Sequence, residues 1–308
     1  MPPQKKLTDR DTKLLEALIK TGALSSRQVR EIYGGVSCYH YKRLKELEKR
    51  GYLNRTGQHI QITQQGAKAI GDISGQDDAP IRIREPWQLK QRKNIADIFL
   101  GLSKDNWSFM SSRDIKKEVG ISSSAYISCF ISTARKGYGY AVYLLSNDPH
   151  KHTIRNIKGE LDRLIQHGIS KAIIFCPNPE SMKKFGAYNG RALNELLVLP
   201  FPFGLSLLNN INQIHGDIQS RFNNCTVSIR PFADYEEGNT FISVLINNDF
   251  IKKEHLKEYL NHARKREGRE IIIACLQSQA AQFSVQFPGV KQCIIPDPKG
   301  VQNESAAQ

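Results

Sequence analysis

The first seventy residues constrain this chain most, because apolar side chains recur there at helical spacing in three successive blocks. Thr8 and either Ser25 or Ser26 can cap the first two blocks, and Gly22 ends the first. The third block follows a Gly-Gly turn, and two short strand-like runs around a Thr-Gly turn come after it. This order predicts three helices, a small hairpin over residues 52–63 and a last short helix over residues 64–70.

The third predicted helix, residues 38–50, has an apolar stripe at Tyr41, Leu44 and Leu47 and is otherwise cationic. Two helices, a basic helix and a hairpin are the order of a winged helix-turn-helix, which places one helix in the major groove of double-stranded DNA. Arg and Lys bind phosphates or guanine edges, and an aromatic or His residue at the helix start can reach bases. The predicted DNA-binding residues are Ser37, Tyr39, His40, Lys42, Arg43, Lys45 and Lys49, with Arg55 and His59 on the wing.

The charge of the chain favours a polyanionic partner. Lys and Arg number 44 against 30 Asp and Glu, and residues 1–71 hold fourteen of the cations and six of the acids. Nucleic acid is the commonest such partner of a globular protein. An anionic membrane surface is the competing polyanion, and a further alternative is a charged face that is merely solvated, in a module that serves protein contacts. No run of about twenty apolar residues exists, so we predict no membrane span.

The sequence lacks the motifs that indicate metal binding, disulfide bonds or phosphate binding. The six cysteines are scattered without a C-x-x-C pair, which favours small buried side chains over metal ligands or disulfides. His150-Lys151-His152 is expected to be a loop and not a metal site. The N-terminus has no apolar segment behind its charges, so a cytoplasmic location is expected. No phosphate-binding glycine loop occurs, and we predict no cofactor and no metal.

The second half alternates strands and helices, and its pattern occurs twice. A strand at 140–145, a helix at 153–167 and a buried strand at 171–176 recur at 240–246, 255–266 and 270–275. In this repeat Leu144-Leu145-Ser146-Asn147-Asp148 corresponds to Leu245-Ile246-Asn247-Asn248-Asp249. Strand, helix and strand at these intervals predict parallel pairing through right-handed crossovers. The repeat fits either a duplication or the ordinary alternation of an α/β fold.

Two segments have competing interpretations. Residues 111–135 fit a second helix-turn-helix with a wing at 137–145, but a strand near residues 126–131 is the preferred interpretation. Basic residues follow an exposed linker, and they fit a solvated hinge as well as an extension of a phosphate-contacting surface. They are Arg82, Arg84, Lys90, Arg92 and Lys93.

Several runs of residues carry a family resemblance. They are Leu7-Thr8-Asp9-Arg10-Asp11, Leu24-Ser25-Ser26-Arg27-Gln28-Val29, Tyr41-Lys42-Arg43-Leu44-Lys45-Glu46-Leu47 and Trp107-Ser108-Phe109-Met110-Ser111-Ser112-Arg113-Asp114. In these runs the chain resembles the replication-relaxation family, proteins of plasmids and other mobile elements associated with replication and mobilisation. The resemblance extends to about Cys176, and it implies a winged helix followed by a restriction-endonuclease-like core.

The residues argue against nuclease chemistry in that core. Such a core needs an acid on one strand and an acid-x-Lys on the next, to hold Mg²⁺ and support the attacking water. The matching positions, Ser123-Ser124-Ala125 and Tyr143-Leu144-Leu145, hold no carboxylate, and Val244-Leu245-Ile246 in the repeat holds none either. Asp148 and Asp249 each follow a strand and precede a helix, where capping explains them.

These observations predict an α/β chain with an N-terminal winged helix-turn-helix. The predicted parts are the winged helix at 1–72, a linker at 73–86, an inactive nuclease-like βαβ lobe at 87–203, a second such lobe at 204–300 and a disordered tail at 301–308. The predicted function is sequence-specific binding of double-stranded DNA in plasmid or mobile-element replication initiation, mobilisation or their transcriptional control. A homodimer is expected, with replication or conjugation proteins as further partners and no membrane. The alternative is a Mg²⁺-dependent DNA nickase or nuclease that uses Asp148 or Asp249.

Overall fold

The computed structural model of the chain describes residues 7–35, 38–75, 79–133, 139–186, 188, 193–222 and 224–298. The chain is mixed α/β with open sheets, and it divides into two compact units. The first unit ends at Gly101 and includes Phe109–Ser111, and the second holds the rest of the chain. Within the described ranges, no helix is both long enough and apolar enough to cross a bilayer.

The first unit combines helices with one small antiparallel sheet. Its elements are α1 (Asp9–Thr21), β1 (Leu24–Ser25), α2 (Ser26–Ile32), α3 (Tyr39–Lys49), β2 (Leu53–Thr56), β3 (His59–Ile62), α4 (Gln64–Ser74) and α5 (Pro86–Gly101). The strand β3 lies between β1 and β2 and pairs antiparallel with both. The three predicted helices, the hairpin and the helix after it are therefore confirmed, and α4 extends beyond its predicted end to Ser74.

Capping residues fix where the first two helices begin. The Thr8 hydroxyl accepts a hydrogen bond from the backbone N–H of Asp11, and the Asp11 carboxylate accepts one from the N–H of Thr8. Ser25 and Gln28 form the same reciprocal pair at the start of α2. Each pair satisfies two backbone donors that the start of a helix leaves free. The N-cap of α3 is Cys38, whose side chain makes no capping bond.

Apolar side chains of α1 and α3 form the core of the first unit. Leu14, Leu18 and Leu47 are fully buried, and burying each contributes roughly 1.5–3 kcal/mol. Ala96 of α5 belongs to the same apolar cluster. By sequence α5 falls in the lobe predicted at 87–203, whereas in the structure its apolar side chains complete this core.

The second unit contains two open sheets. The elements of its first part are β4 (Trp107–Ser111), α6 (Ser112–Glu118), β5 (Cys129–Thr133), β6 (Gly139–Leu144), α7 (Lys151–Leu161), β7 (Lys171–Cys176), α8 (Pro179–Phe185) and β8 (Glu195–Pro200). Of these, β4 begins in the second unit and ends in the first. The helix α9 (Phe203–Ser220) leads to β9 (Thr226–Val227), β10 (Tyr235–Glu237), β11 (Thr240–Val244), α10 (Phe250–His262), α11 (Arg264–Glu267), β12 (Glu270–Leu276), α12 (Ala280–Gln286) and β13 (Lys291–Ile295). The strand orders are β4-β5-β6-β7-β8 and β9-β10-β11-β12-β13. We call residues 112–200 the first lobe and residues 226–295 the second lobe.

The two lobes share one strand arrangement, as the sequence repeat predicts. In each, an antiparallel pair (β5 with β6, β10 with β11) is followed by two further strands that run parallel to its second member. The N–H of Leu145 donates to the carbonyl of Phe175 at 3.0 Å. The N–H of Leu245 donates to the carbonyl of Ala274 at the same distance, 3.0 Å. Leu145 therefore matches Leu245, one residue away from the sequence pairing, which aligned Leu144 with Leu245.

Within the described part of the predicted second helix-turn-helix, residues 111–133, the second helix is absent. The helix α6 is present as predicted, but residues 129–133 form the strand β5 and pair with β6. Cys129 and Ile131 are buried while Phe130 between them is half-buried, which is the alternation of a strand. The preferred strand interpretation is therefore confirmed. Part of the proposed wing, residues 137 and 138, lies outside the described residues.

The turn after β11 covers the outer edge of β8. The Asn248 side-chain amide donates to the carbonyl of Val198 at 2.7 Å, and the N–H of Leu196 donates to the Asp249 carboxylate at 3.2 Å. Leu197 forms an isolated antiparallel bridge with Asp249. Asn248 has a φ of 51°, in the left-handed region that Asn tolerates better than most residues. The second lobe thus supplies partners for backbone groups that an open edge would leave free.

Candidate nucleic-acid interface

One side of α3 is exposed and cationic. Tyr41, Lys42, Lys45 and Lys49 are all exposed, and helical geometry places them along one side of the helix. We call these four residues the α3 stripe. It carries three ammonium groups and no carboxylate, so it is a surface on which an extended polyanion is attracted along its whole length.

The inward face of α3 differs from the predicted one by a single position. Leu44 and Leu47 are buried, as predicted. Tyr41 is 50% exposed, so its predicted inward position is wrong. His40 is 4% exposed and takes that place, with its ring centroid 4.0 Å from the ring centroid of Tyr41. Because its ring is buried, we remove His40 from the predicted DNA-binding set.

Arg43 is held inside the first unit by two carboxylates. Its Nε and Nη2 atoms donate to the two oxygens of Asp11 at 2.9 and 2.6 Å, and Nη1 donates to Glu46 at 2.6 Å. The Tyr33 hydroxyl donates to the same Asp11 carboxylate at 2.6 Å. Arg43 is 5% exposed, and its guanidinium is already bound on three of its nitrogens. We therefore correct its predicted DNA contact, since the side chain serves to position α3.

The carboxylate of Asp11 connects the start of α1 to the middle of α3. Burial raises the pKa of Asp11, but hydrogen bonds from Arg43, Tyr33 and Thr8 outweigh this effect and lower it to about 2. Asp11 is thus ionised at neutral pH. A charged and fully hydrogen-bonded pair at this place fixes the orientation of α3 relative to α1.

Tyr39 and Ser37 belong to the predicted contacts at the amino end of α3. Tyr39 is exposed, and its ring meets the edge of Tyr33 with 6.1 Å between centroids. Ser37 lies outside the described residues. Tyr39 therefore stays in the candidate interface together with the lysines of the α3 stripe.

The hairpin of β2 and β3 follows α3 directly and contacts it. Arg55 and His59 are half-buried on either side of its tip, where Thr56 pairs with His59 across the turn. Gly57 in the turn has a φ of 62°, which favours glycine. Both predicted wing residues are thus positioned beside the tip of the hairpin, on the strands that continue from α3.

A glycine turn follows the end of α2. Gly34 and Gly35 have φ values of 89° and 77°, in the region where a side chain is strained. The N–H of Gly35 donates to the carbonyl of Arg30 at 2.9 Å, and the Arg30 Nε atom donates back to the Gly35 carbonyl at 2.8 Å. These bonds connect the turn to the last part of α2 and satisfy groups at its carboxyl end.

The five basic residues in and after the last part of the predicted linker divide into two groups. Arg82, Arg84 and Lys90 are exposed, whereas Arg92 and Lys93 are half-buried on α5. The helix α5 is held on α2 by polar contacts: the Gln28 side chain donates to the Lys93 carbonyl at 2.8 Å, and Arg27 pairs with Asp97 at 2.7 Å. The exposed three are therefore the members of this cluster that a phosphate backbone could reach.

The two aspartates of the nuclease alternative have structural roles. Asp148 is exposed and forms an ion pair with Lys184. Asp249 is buried and caps α10, accepting hydrogen bonds from the N–H groups of Ile251 and Lys252 at 3.0 and 3.3 Å. Burial raises the pKa of Asp249 to about 6. The capping expected at Asp249 is confirmed.

His150 is the N-cap of α7, so the His150-Lys151-His152 run begins a helix where a loop was predicted.

An acid and a lysine do meet in the second lobe, at a place that the sequence did not reveal. The Asp234 carboxylate accepts from the N–H of Val244 at 2.7 Å and from Lys252 Nζ at 2.7 Å. In the first lobe the Ser128 hydroxyl accepts from the N–H of Leu144 at 3.2 Å, so Ser128 is the counterpart of Asp234. The sequence did not indicate this pair because Asp234 precedes β10, a strand of three residues that is too short to predict.

Asp234 and Asp249 do not fit a Mg²⁺ site. Asp234 is neutralised by Lys252, and Asp249 is occupied by backbone N–H groups. Over the described part of the chain, no three His, Cys, Asp or Glu side chains lie close enough together to hold a metal ion. No family model, curated protein or solved structure matches this chain. The geometry of the first unit is therefore the basis for a functional assignment.

Proposed function

We propose that this chain is a sequence-specific double-stranded DNA-binding protein whose first unit is a winged helix-turn-helix. The observation that carries the proposal is the α3 stripe, three exposed lysines and a tyrosine on one side of a helix of 11 residues. Such a helix is about 16 Å long, and the major groove, about 12 Å wide, admits it. Lys42, Lys45 and Lys49 then bind phosphates or guanine edges, and Tyr39 and Tyr41 meet base edges or thymine methyl groups.

The hairpin supports the same proposal. In a winged helix the strands after the recognition helix carry the wing, which meets the minor groove or the backbone, and Arg55 and His59 flank the tip here. Arg82, Arg84 and Lys90 extend the cationic surface of the first unit. The resemblance to the replication-relaxation family supports a role in plasmid or mobile-element replication initiation, mobilisation or their transcriptional control. A homodimer would place two such helices on a palindromic site.

Salt-dependent DNA binding of lysine variants tests the proposal. Lys42→Ala, Lys45→Ala and Lys49→Ala should each weaken binding to a site selected from random DNA, and should lower the slope of log affinity against log salt by about 1 for each lost phosphate contact. Lys265→Ala, an exposed lysine of α11 with the same change of charge, is the matched control and should leave the slope unchanged.

The control also defines the result that would contradict the proposal. If the three α3 variants bind the selected DNA with the slope and affinity of the Lys265→Ala protein, α3 does not contact DNA. The selected site itself separates the biological roles, because an operator at the protein's own promoter indicates repression and iterated repeats in an origin indicate initiation.

A further inference from the structure

A lysine lies at an inward position of α10 in the second lobe. Lys253 is 4% exposed and lies one helical turn before the buried Leu256. Lysines are almost never buried to this degree unless they are paired. In sequence it precedes Leu256 by three residues and Leu260 by seven, which is the spacing of an apolar stripe. A cation at such a position calls for a specific partner.

The surroundings of Lys253 supply only weak partners. Its ammonium group donates to the Asn248 side-chain oxygen and lies 5.4 and 4.9 Å from the ring centroids of Phe250 and Phe283. None of the ion pairs found in the described part of the chain includes Lys253, whereas its neighbour Lys252 is paired with Asp234. An ammonium has three N–H donors, so donors remain beyond the one that Asn248 accepts.

Burial without a paired carboxylate is energetically costly for this group. Desolvation, and then the positive charge of Lys257, lower the pKa of Lys253 to about 8, against the weaker attraction of Asp249 and Glu254. A buried charge without an ion-pair partner is disfavoured relative to the same charge in water, and replacing buried ionic groups by apolar side chains of similar volume is often neutral or stabilising. The position would therefore be better filled by leucine or methionine unless the charge is used.

A cavity opens next to this ammonium group. It has a volume of about 660 Å³ and lies between α8 of the first lobe and α10 and α12 of the second. Met182, Phe250 and Val285 supply apolar walls, and Val285 is 85% exposed at the rim. Gln286 also lines the cavity, and its side-chain oxygen is buried with no hydrogen-bond partner among the described residues.

We propose that this cavity binds a small organic anion with an apolar body. The acidic group of the ligand pairs with Lys253, its apolar body lies against Met182, Phe250 and Val285, and an N–H or O–H group donates to Gln286. The volume falls in the range of small-molecule sites, about 300–1,000 Å³. This inference uses only the second unit and is independent of the proposed DNA binding.

A fluorescent anion of this kind provides the test. The full chain is titrated with 8-anilinonaphthalene-1-sulfonate, which has an aromatic body, one sulfonate and one N–H group. We expect saturable binding of one probe per chain, and Lys253→Met should weaken it by about tenfold or more, as expected for loss of a charged hydrogen bond. N-phenyl-1-naphthylamine, the counterpart without the sulfonate, should bind wild type and Lys253→Met equally.

Two further variants keep the test decisive. Gln286→Glu leaves Lys253 unchanged and adds a negative charge that repels the sulfonate of the probe. It should weaken binding of the sulfonate but not of the neutral amine. Lys265→Met, on an exposed part of α11, should change neither affinity. Unchanged sulfonate affinity in both Lys253→Met and Gln286→Glu would overturn the proposal. Loss of probe binding as the protein concentration rises would overturn it in favour of a second copy of the chain in the cavity.

Discussion

At the scale of single residues, the pair of Asp11 and Arg43 shows how a cation on the lysine-rich helix α3 can serve folding. The two side chains are almost fully buried, and each oxygen of the carboxylate accepts more than one hydrogen bond. Removing one partner of such a pair leaves the other charged and buried, which costs far more than the pair itself contributes. Substitution of Arg43 is therefore expected to lower the free energy of unfolding, whether or not α3 contacts DNA.

We expect Arg43→Ala to lower the free energy of unfolding by about 3–5 kcal/mol, because Asp11 is left uncompensated. Urea unfolding followed by circular dichroism measures the change. Lys45→Ala, an exposed lysine on the same helix, should remain within roughly 0.5 kcal/mol of wild type. Equal stability of the two variants would mean that the buried pair does not hold α3 in place.

Asp249 gives a pH-dependent prediction. Its folded pKa of about 6 lies above the unfolded value, so the stability it contributes is fully present below about pH 4 and is lost as the pH rises through 6. Asn at this position keeps the capping oxygen without the charge. Asp249→Asn should therefore gain stability relative to wild type between pH 4 and 7, by up to about 3 kcal/mol.

Urea unfolding at pH 4, 5, 6 and 7 follows that gain for Asp249→Asn. The control is Asp148→Asn, which changes an exposed carboxylate paired with Lys184 and should show no gain over this range. A difference in unfolding free energy between Asp249→Asn and wild type that is the same at pH 7 as at pH 4 would show that burial does not raise the pKa of Asp249.

Residue spacing alone did not fix which side of α3 faces inward. Leu44 and Leu47 were placed correctly, but their spacing fits either Tyr41 or His40 as the third member of the stripe. The partner that decides is Asp11, which lies 32 residues earlier and draws Arg43 inward. A contact over such a distance leaves no local pattern in the sequence, so neither the burial of Arg43 nor the exposure of Tyr41 could be predicted.

At the scale of elements, the turn between α2 and α3 depends on glycine. Gly34→Ala should lower stability by about 1 kcal/mol, because its φ of 89° strains any side chain although no atom lies within 4 Å of an added Cβ. Gly159→Ala, inside α7, also meets no atom within 4 Å and should instead stabilise the protein by roughly 0.5–1 kcal/mol. Denaturant midpoints of the two variants should shift in opposite directions.

The same sign of shift in both alanine variants would contradict that role for the turn. The comparison is informative because both substitutions add one methyl group in open space and differ in backbone conformation alone. The free energy of DNA binding of Gly34→Ala can be compared with its free energy of unfolding. A larger loss in binding than in unfolding would indicate that the angle of α3 matters for binding.

Elements with their own capping or apolar signals were predicted, and elements that depend on a partner were missed. The starts of α1 and α2 followed from Thr8 and Ser25, and β7 followed from its continuous apolar run. The strands β1, β4 and β10 have two to five residues each and exist because neighbouring strands supply hydrogen bonds. Short strands of this kind carry little local preference, since pairing decides them.

At the scale of the whole molecule, the chain combines a helical unit with two lobes of like topology. The sequence repeat predicted the parallel strands of both lobes, and the hydrogen-bond register corrected its alignment by one residue. Lys253 and its cavity could not be predicted, because the cavity forms between helices of different lobes. Among the sequence-predicted interface residues in the described ranges, only His40 and Arg43 are buried, which leaves the candidate surface on α3 and the hairpin largely as proposed.

The covering of β8 by the turn at Asn248 and Asp249 has a consequence for biosynthesis. A ribosome adds the residues of β8 about fifty positions before those of the turn, which at roughly 5–20 residues per second is an interval of about 3–10 seconds. Throughout that interval the nascent first lobe has an unsealed strand able to recruit a neighbouring nascent chain. Crowded polysomes would therefore be the setting in which this protein is most prone to misassembly, and completion of the second lobe ends the risk.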